Sequence, residues 1–190
     1  MKAVTLIVLL GLAASACGGE EPPPRVREAA VAAPQFDVHG LAVELPPGWH
    51  RATEPLTPTL TDPREVLAVA TFPLHYRETG CAHIAGSALE GLAPAGAFVT
   101  LLERGYGETH LPPRPAKFGP ELGGPSEASE CVPDARFTDH WFQFSDGGRL
   151  FHVDVAFGPD TPESVRRQAW AILDGLRVDP NVKPDWESSG

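Results

Sequence analysis

Residues 137–157 read Phe-Thr-Asp-His-Trp-Phe-Gln-Phe-Ser-Asp-Gly-Gly-Arg-Leu-Phe-His-Val-Asp-Val-Ala-Phe, and this stretch decides the fold. Two runs rich in aromatic and β-branched residues, Phe137 to Phe144 and Arg149 to Phe157, flank Ser145-Asp146-Gly147-Gly148. Asp-Gly or Gly-Gly at the tip supplies the positive φ that a tight hairpin turn demands, so the segment predicts an antiparallel hairpin. Successive side chains of a strand point to opposite faces. Alternation therefore puts Phe142, Phe144, Phe151, Val153, Val155 and Phe157 on one face, which must be the core. The other face carries Trp141, Gln143, Leu150, His152, Asp154 and Ala156; half polar, it is expected to be partly covered at most.

Downstream, Thr161 is a good helix N-cap, Pro162 suits the first helical position, and Glu163 complements the positive end of the helix dipole. Val165, Ala169, Ile172, Leu173 and Leu176 follow as an apolar stripe, with Arg166 and Arg167 expected in solvent. Gly175 marks the end of this helix, and Leu176-Arg177-Val178 can return as a short strand. Upstream, Phe36 to Leu45 alternates enough for one bent strand or a strand pair, stopped by Pro46-Pro47-Gly48, with Trp49 packing back on the sheet. Asp62-Pro63-Arg64-Glu65 has the pattern of a helix cap, but the Val and Thr content of Glu65 to Phe72 and the stop at Pro73 favour a strand. A short helix over His83 to Leu92 and a strand over Ala97 to Glu103 come next. Gly105 to Ala135, rich in Gly and Pro, reads as a surface excursion pinned at Cys131. Strands before and after two helices, joined in part by hairpins, predict an α+β fold: a mainly antiparallel sheet packed against two helices.

The amino terminus is an address. Lys2 precedes an apolar run from Ala3 to Ala14, the length of a signal peptide's hydrophobic region; spanning a bilayer takes about 20 apolar residues. Ala14-Ser15-Ala16-Cys17-Gly18-Gly19 resembles the lipobox of bacterial lipoproteins, in which the cysteine is acylated and becomes the new amino terminus; Ala14 departs from the Leu most often found there. The same small residues also fit an ordinary secretory cleavage that leaves Cys17 a free thiol. The lipobox reading makes residues 1–16 a signal peptide and 17–35 a lipidated Cys17 followed by a disordered Pro-rich tether. Residues 36–180 are then a single domain and 181–190 a polar tail. It places the domain on the extracytoplasmic face of a cell membrane, anchored through palmitate-type chains, since two or more acyl chains hold stably where one does not.

Outside the reducing cytoplasm, the two remaining cysteines, Cys81 and Cys131, are expected to form a disulfide, with two buried or metal-binding thiols as the competing reading. Closing a loop of about 50 residues is worth roughly 4 kcal/mol in the chain-entropy view. The formal charge is −10, and loss of Lys2 with the leader takes it to −11. Such a chain is repelled by phosphate backbones, so no nucleic-acid partner is expected. Twelve of the fifteen basic residues are Arg, which with the abundant Ala, Gly and Pro reads as the codon bias of a GC-rich bacterial genome.

Catalytic signatures are sparse. Ser87 lies in Ala85-Gly86-Ser87-Ala88 and not in a nucleophile elbow, and Gly105-Tyr106-Gly107 stops short of a dinucleotide fingerprint. Cys81-Ala82-His83 has metal-like spacing but is better explained by the disulfide, and Asp139-His140 are neighbours that point to opposite faces. The grouping of most interest is His152 and Asp154, two apart on one strand face, with Trp141 or Gln143 opposite across the hairpin. A His, a carboxylate and an aromatic ring together suit a small-ligand cleft, against the plainer reading of a solvated face with a local ion pair. No catalytic residue, metal site or cofactor is assigned.

Leu45-Pro46-Pro47-Gly48-Trp49, the Gly-tipped hairpin and Ala171-Ile172-Leu173-Asp174-Gly175-Leu176-Arg177-Val178 resemble the PsbP-like α/β/α sandwich over about residues 36–180. The Pro/Gly stretch at 105–135 departs from a compact example of that fold. The resemblance implies an accessory, non-catalytic role and carries over no functional residues. The expectation is a surface-tethered, non-enzymatic binding or accessory lipoprotein of the cell envelope. Its partners are the membrane, through lipid, and an envelope protein. The alternative is a metal-assisted envelope hydrolase using the His152/Asp154 face. Cys17→Ala is expected to abolish incorporation of an alkynyl palmitate analogue and to release the protein from the membrane fraction. A wild-type chain recovered in the soluble fraction with an unmodified Cys17 ends the lipoprotein reading.

Overall fold

A computed structural model describes residues 34–79, 84–105, 110–125, 131–132 and 136–182. The chain divides into two units, Met1–Ala33 and Pro34–Gly190, and all described residues belong to the second. The expectations for the leader, for Cys17 and the tether to residue 33, for Cys81 and for the tail beyond Val182 lie outside the described residues. No described helix is long and apolar enough to cross a membrane.

Among the described residues the fold is α+β, with mainly antiparallel strands and two helices. In chain order the elements are β1 (Leu41–Ala42), β2 (His50–Arg51), β3 (Arg64–Ala70), α1 (Gly86–Glu90) and β4 (Ala97–Arg104). A single 3-10 turn (Pro120–Leu122) precedes β5 (Thr138–Asp146), β6 (Arg149–Phe157), α2 (Glu163–Gly175) and β7 (Arg177–Val178). Five strands form one sheet in the order β2-β3-β4-β6-β5, while β1 and β7 pair separately, Leu41 opposite Val178. The hairpin turns through Gly147 at φ 60° and Gly148 at φ 78°, with Asp146 opposite Arg149. Both central residues lie in the left-handed region, the two-residue turn whose twist matches its strands.

The sheet buries both faces. On one side Val99 and Leu101 of β4, Phe142 and Phe144 of β5, and Phe151, Val153, Val155 and Phe157 of β6 pack beneath Ala169, Ile172 and Leu173 of α2. Trp49 joins this core and its Nε1 donates to Gln168 Oε1 on α2 at 3.0 Å. On the other side Phe98 and Ala156 pack with Ala85, Ala88 and Leu89 around α1, together with Leu56, Leu74 and Val132. The expectation that the Trp141/His152 face is at most partly covered is therefore corrected at its lower end: Ala156 is fully enclosed and His152 is buried. A central strand such as β6 has no solvent side unless a layer is missing, and here α1 with Leu56, Leu74 and Val132 supplies that layer.

Three other expectations change. Within Phe36–Leu45 only Leu41–Ala42 is strand; Asp37 Oδ1 accepts from the His39 and Leu41 amides at 2.8 and 2.9 Å and bends the chain at Gly40, φ 67°. Thr161 does not cap α2: its buried hydroxyl lies 2.6 Å from the Gly96 carbonyl and 2.9 Å from that of Gly158, tying the helix entrance to β4. The stretch expected as a surface excursion sends Phe118 into the main core, 2 % exposed, with its ring edge-on to Phe144 at 5.3 Å. A lone Phe in a Pro/Gly-rich segment has no periodicity to announce it. Phe118→Ala is expected to lower unfolding stability by ~3–5 kcal/mol in urea titrations, the loss usual for a fully buried ring; a loss below about 1 kcal/mol puts the ring outside the core.

Candidate functional site

The described part of the 105–135 stretch is fastened along the β5 edge and the end of α2. Pro113 bridges Ser145 in parallel and Gly124 bridges Trp141 in antiparallel fashion, which covers much of an edge strand otherwise open to pairing with other chains. Between the bridges, the Arg114 guanidinium reaches the last turn of α2. Its Nη1 donates to the Leu176 carbonyl at 2.6 Å and to Asp146 Oδ2 at 2.9 Å, and its Nη2 to the Leu173 carbonyl at 2.7 Å. Helix-end carbonyls lack intrahelical donors and carry the negative pole of the helix, so a cation there satisfies both. Four residues on, the Phe118 amide donates to Asp174 Oδ1 at 2.8 Å. These fixings hold residues 117–121 facing α2.

The gap that results is a cleft of about 820 Å³, lined by residues 117–121 on one side and by Glu163, Arg166, Arg167, Trp170, Ala171 and Asp174 of α2 on the other, with His140 and Phe157 at its floor. The His140 ring meets Trp170 edge-on at 5.4 Å and Phe157 at 6.0 Å. Arg166, expected in solvent, is half-buried: its guanidinium lies 4.6 Å from the Phe157 ring centre and its Nε donates to the Thr161 carbonyl at 3.3 Å. Arg167 stays exposed and pairs with Glu163 at 3.7 Å. A concave volume of this size, lined by several rings and by charged side chains, falls in the range usual for a small-ligand site.

The grouping expected from sequence lies on the opposite sheet face. Trp141 is 41 % exposed and stands edge-on over the His152 ring at 5.6 Å. His152 Nε2 is 3.1 Å from Gln143 Nε2, its partner in the β5–β6 register. Asp154, opposite Trp141 in that register, has a fully shielded Oδ1 with no hydrogen-bond partner among the described residues. Burial, and secondarily the Asp139 carboxylate, push its pKa up to about 7. So the three residues are neighbours as the alternation requires, yet Trp141 reaches a second, shallower groove of about 460 Å³ with Gln143 and Pro112, whereas His152 and Asp154 line neither cleft. Among the described residues no group of three His, Cys, Asp or Glu comes together to hold a metal.

Sequence reasoning missed the residues that build the larger cleft. His140 was legible, since it shares its face with Phe142 and Phe144. Trp170 sits beside the α2 stripe and is buried with it. Lys117, Phe118 and Glu121 carried no local pattern. No family model and no curated protein matches the chain.

Asp154 sets a pH dependence. Below pH 3.8 the folded and unfolded carboxyls are both protonated; between there and about pH 7 the unfolded chain releases the proton while the fold retains it. Stability contributed at this site therefore falls as pH rises through that window and levels off above it. Relative to wild type, Asp154→Asn is expected to be more stable at pH 8 by on the order of 3–4 kcal/mol and nearly equal at pH 4, read from urea midpoints. Parallel curves for the two proteins across the window would show that the carboxyl is not shielded.

Proposed function

We propose that this chain is an exported lipoprotein, held by acyl chains on Cys17 at the extracytoplasmic face of a cell membrane. Its domain acts as a non-enzymatic binding module with the cleft between α2 and residues 117–121 as its ligand site. The observation that carries this reading is the cleft itself, about 820 Å³ and lined by His140, Phe157 and Trp170 packed edge-to-face. Its support is independent of any occupant: Arg114 and Phe118 fix one wall, and the long α2 with Trp49 behind it fixes the other. Walls fixed before a ligand arrives leave little ordering to be done on binding. A bridge between Cys81 and Cys131 belongs to the same proposal, because an exported domain keeps such a bond oxidised.

A photo-reactive benzoylphenylalanine in place of exposed Ala171, on the cleft rim, tests the reading in anchored protein on intact cells. The expected result is a defined mass-shifted adduct. The same residue in place of exposed Glu90, on α1 across the sheet, serves as the reference. Adducts no different from those at position 90 would remove the cleft as a ligand site.

A further inference from the structure

We infer that the cleft takes a small organic monoanion, a single carboxylate carried on a planar aromatic body; this rests on the reading of the cleft as a ligand site. The aromatic half of that description comes from the floor. His140, Phe157 and Trp170 pack edge-to-face, Phe157 and Trp170 at 5.8 Å and 64°, and Phe118 lines the cleft with them. Flat rings are the bodies that such a surface covers with little loss of conformational freedom.

The anionic half comes from the charges. Lys117, Arg166 and Arg167 face Glu121, Glu163 and Asp174, so the lining is neutral overall. The partners are not evenly distributed. Glu163 is engaged by Arg167, and Asp174 Oδ1 by the Phe118 amide. Arg166, Lys117 and Glu121 each have no oppositely charged side chain within ion-pair distance among the described residues, which leaves one net positive charge unmatched. Arg166 is moreover held in place by its Nε bond to the Thr161 carbonyl and by the Phe157 ring beneath it. That leaves the two terminal amino groups of a pre-positioned guanidinium, the geometry that grips a carboxylate with two parallel bonds. One fixed guanidinium among three carboxylates favours one negative charge. A dianion such as a phosphate monoester exceeds that single net charge and meets the unmatched Glu121 carboxylate as well.

The mature chain, residues 17–190 with Cys17→Ala, is titrated with 2-naphthoate, its uncharged analogue 2-naphthamide and the dianion 2-naphthyl phosphate, while the Trp170 indole N–H is followed by NMR. Expected is a Trp170 shift with 2-naphthoate at an affinity at least tenfold above either analogue. Arg166→Gln, checked for folding by its urea midpoint, should bring naphthoate down to naphthamide while leaving naphthamide unchanged, and Arg166→Lys should keep part of the preference. Equal binding of the acid and the amide, or a preference that survives Arg166→Gln, overturns the inference and leaves a ligand site indifferent to charge. Tighter binding of the naphthyl phosphate overturns it in favour of a dianion. If no probe moves Trp170, the inference falls, and the position-171 adducts decide separately whether the cleft binds anything at all.

Discussion

A strand in the middle of a sheet has two faces, and both must be covered; β6 and β4 impose this on everything around them. Phe151, Val153, Val155 and Phe157 require a cover on one side, and α2 with Trp49 supplies it. Phe98 and Ala156 require a cover on the other, and α1 with Leu56, Leu74 and Val132 supplies that. Among the described residues the helix on that side is the shorter, five residues in α1 against thirteen in α2. Polar side chains collect on this face, most of them buried or half-buried. Thr100, Asp154 and Trp141 stand abreast on neighbouring strands, with His152 and Gln143 in the next row. Asp154 is left with a shielded oxygen that has no hydrogen-bond partner among the described residues, and burial, with the Asp139 carboxylate second, is why its carboxyl holds its proton.

Charge is also buried at the far end of the other face. Glu103 is wholly enclosed and takes two bonds from Arg149, at 2.5 and 2.9 Å, with Arg64 at 3.5 Å. Two guanidiniums around one carboxylate offset its desolvation, but such pairs seldom add net stability over an apolar replacement. Their position matters more: the pair closes the core beneath the Gly147-Gly148 tip, with Arg149 over the Phe151 ring at 5.3 Å. It discriminates against a shifted β4–β6 register, which would bring Arg149 away from Glu103 and strand both charges.

What the amino-acid order made legible was whatever repeats with a fixed period. The alternation from Phe142 to Phe157 assigned both strands of the hairpin and their inner face, and the stripe from Ala169 to Leu176 assigned α2. The misreadings share a cause, which is tertiary context. Thr161 has the composition of a cap, but its hydroxyl turns to the Gly96 carbonyl just ahead of β4. Arg166 has the charge of a surface residue, but its stem and guanidinium lie along Phe157, as long cationic side chains often do. Phe118 and Arg114 belong to a segment held by bonds to distant partners, some sixty positions away in sequence for Arg114 and Asp174. The His152/Asp154/Trp141 grouping was correctly placed on one face by alternation. Whether that face opened into a cavity depended on the layer above it, and no local pattern encodes a layer.

The separate pairing of β1 with β7 has a mechanical side. Leu41 and Ala42 meet Val178 and Arg177, so the domain's first and last strands zip together in a two-residue ladder outside the five-stranded sheet. Val182 then closes on Gly40, where a Cβ would lie 2.7 Å from the valine's own. A load arriving along the amino-terminal chain is met first by this small clasp. Leu41 is also a fully buried member of the main core, so parting this clasp would draw a leucine out of the packed body that holds the cleft.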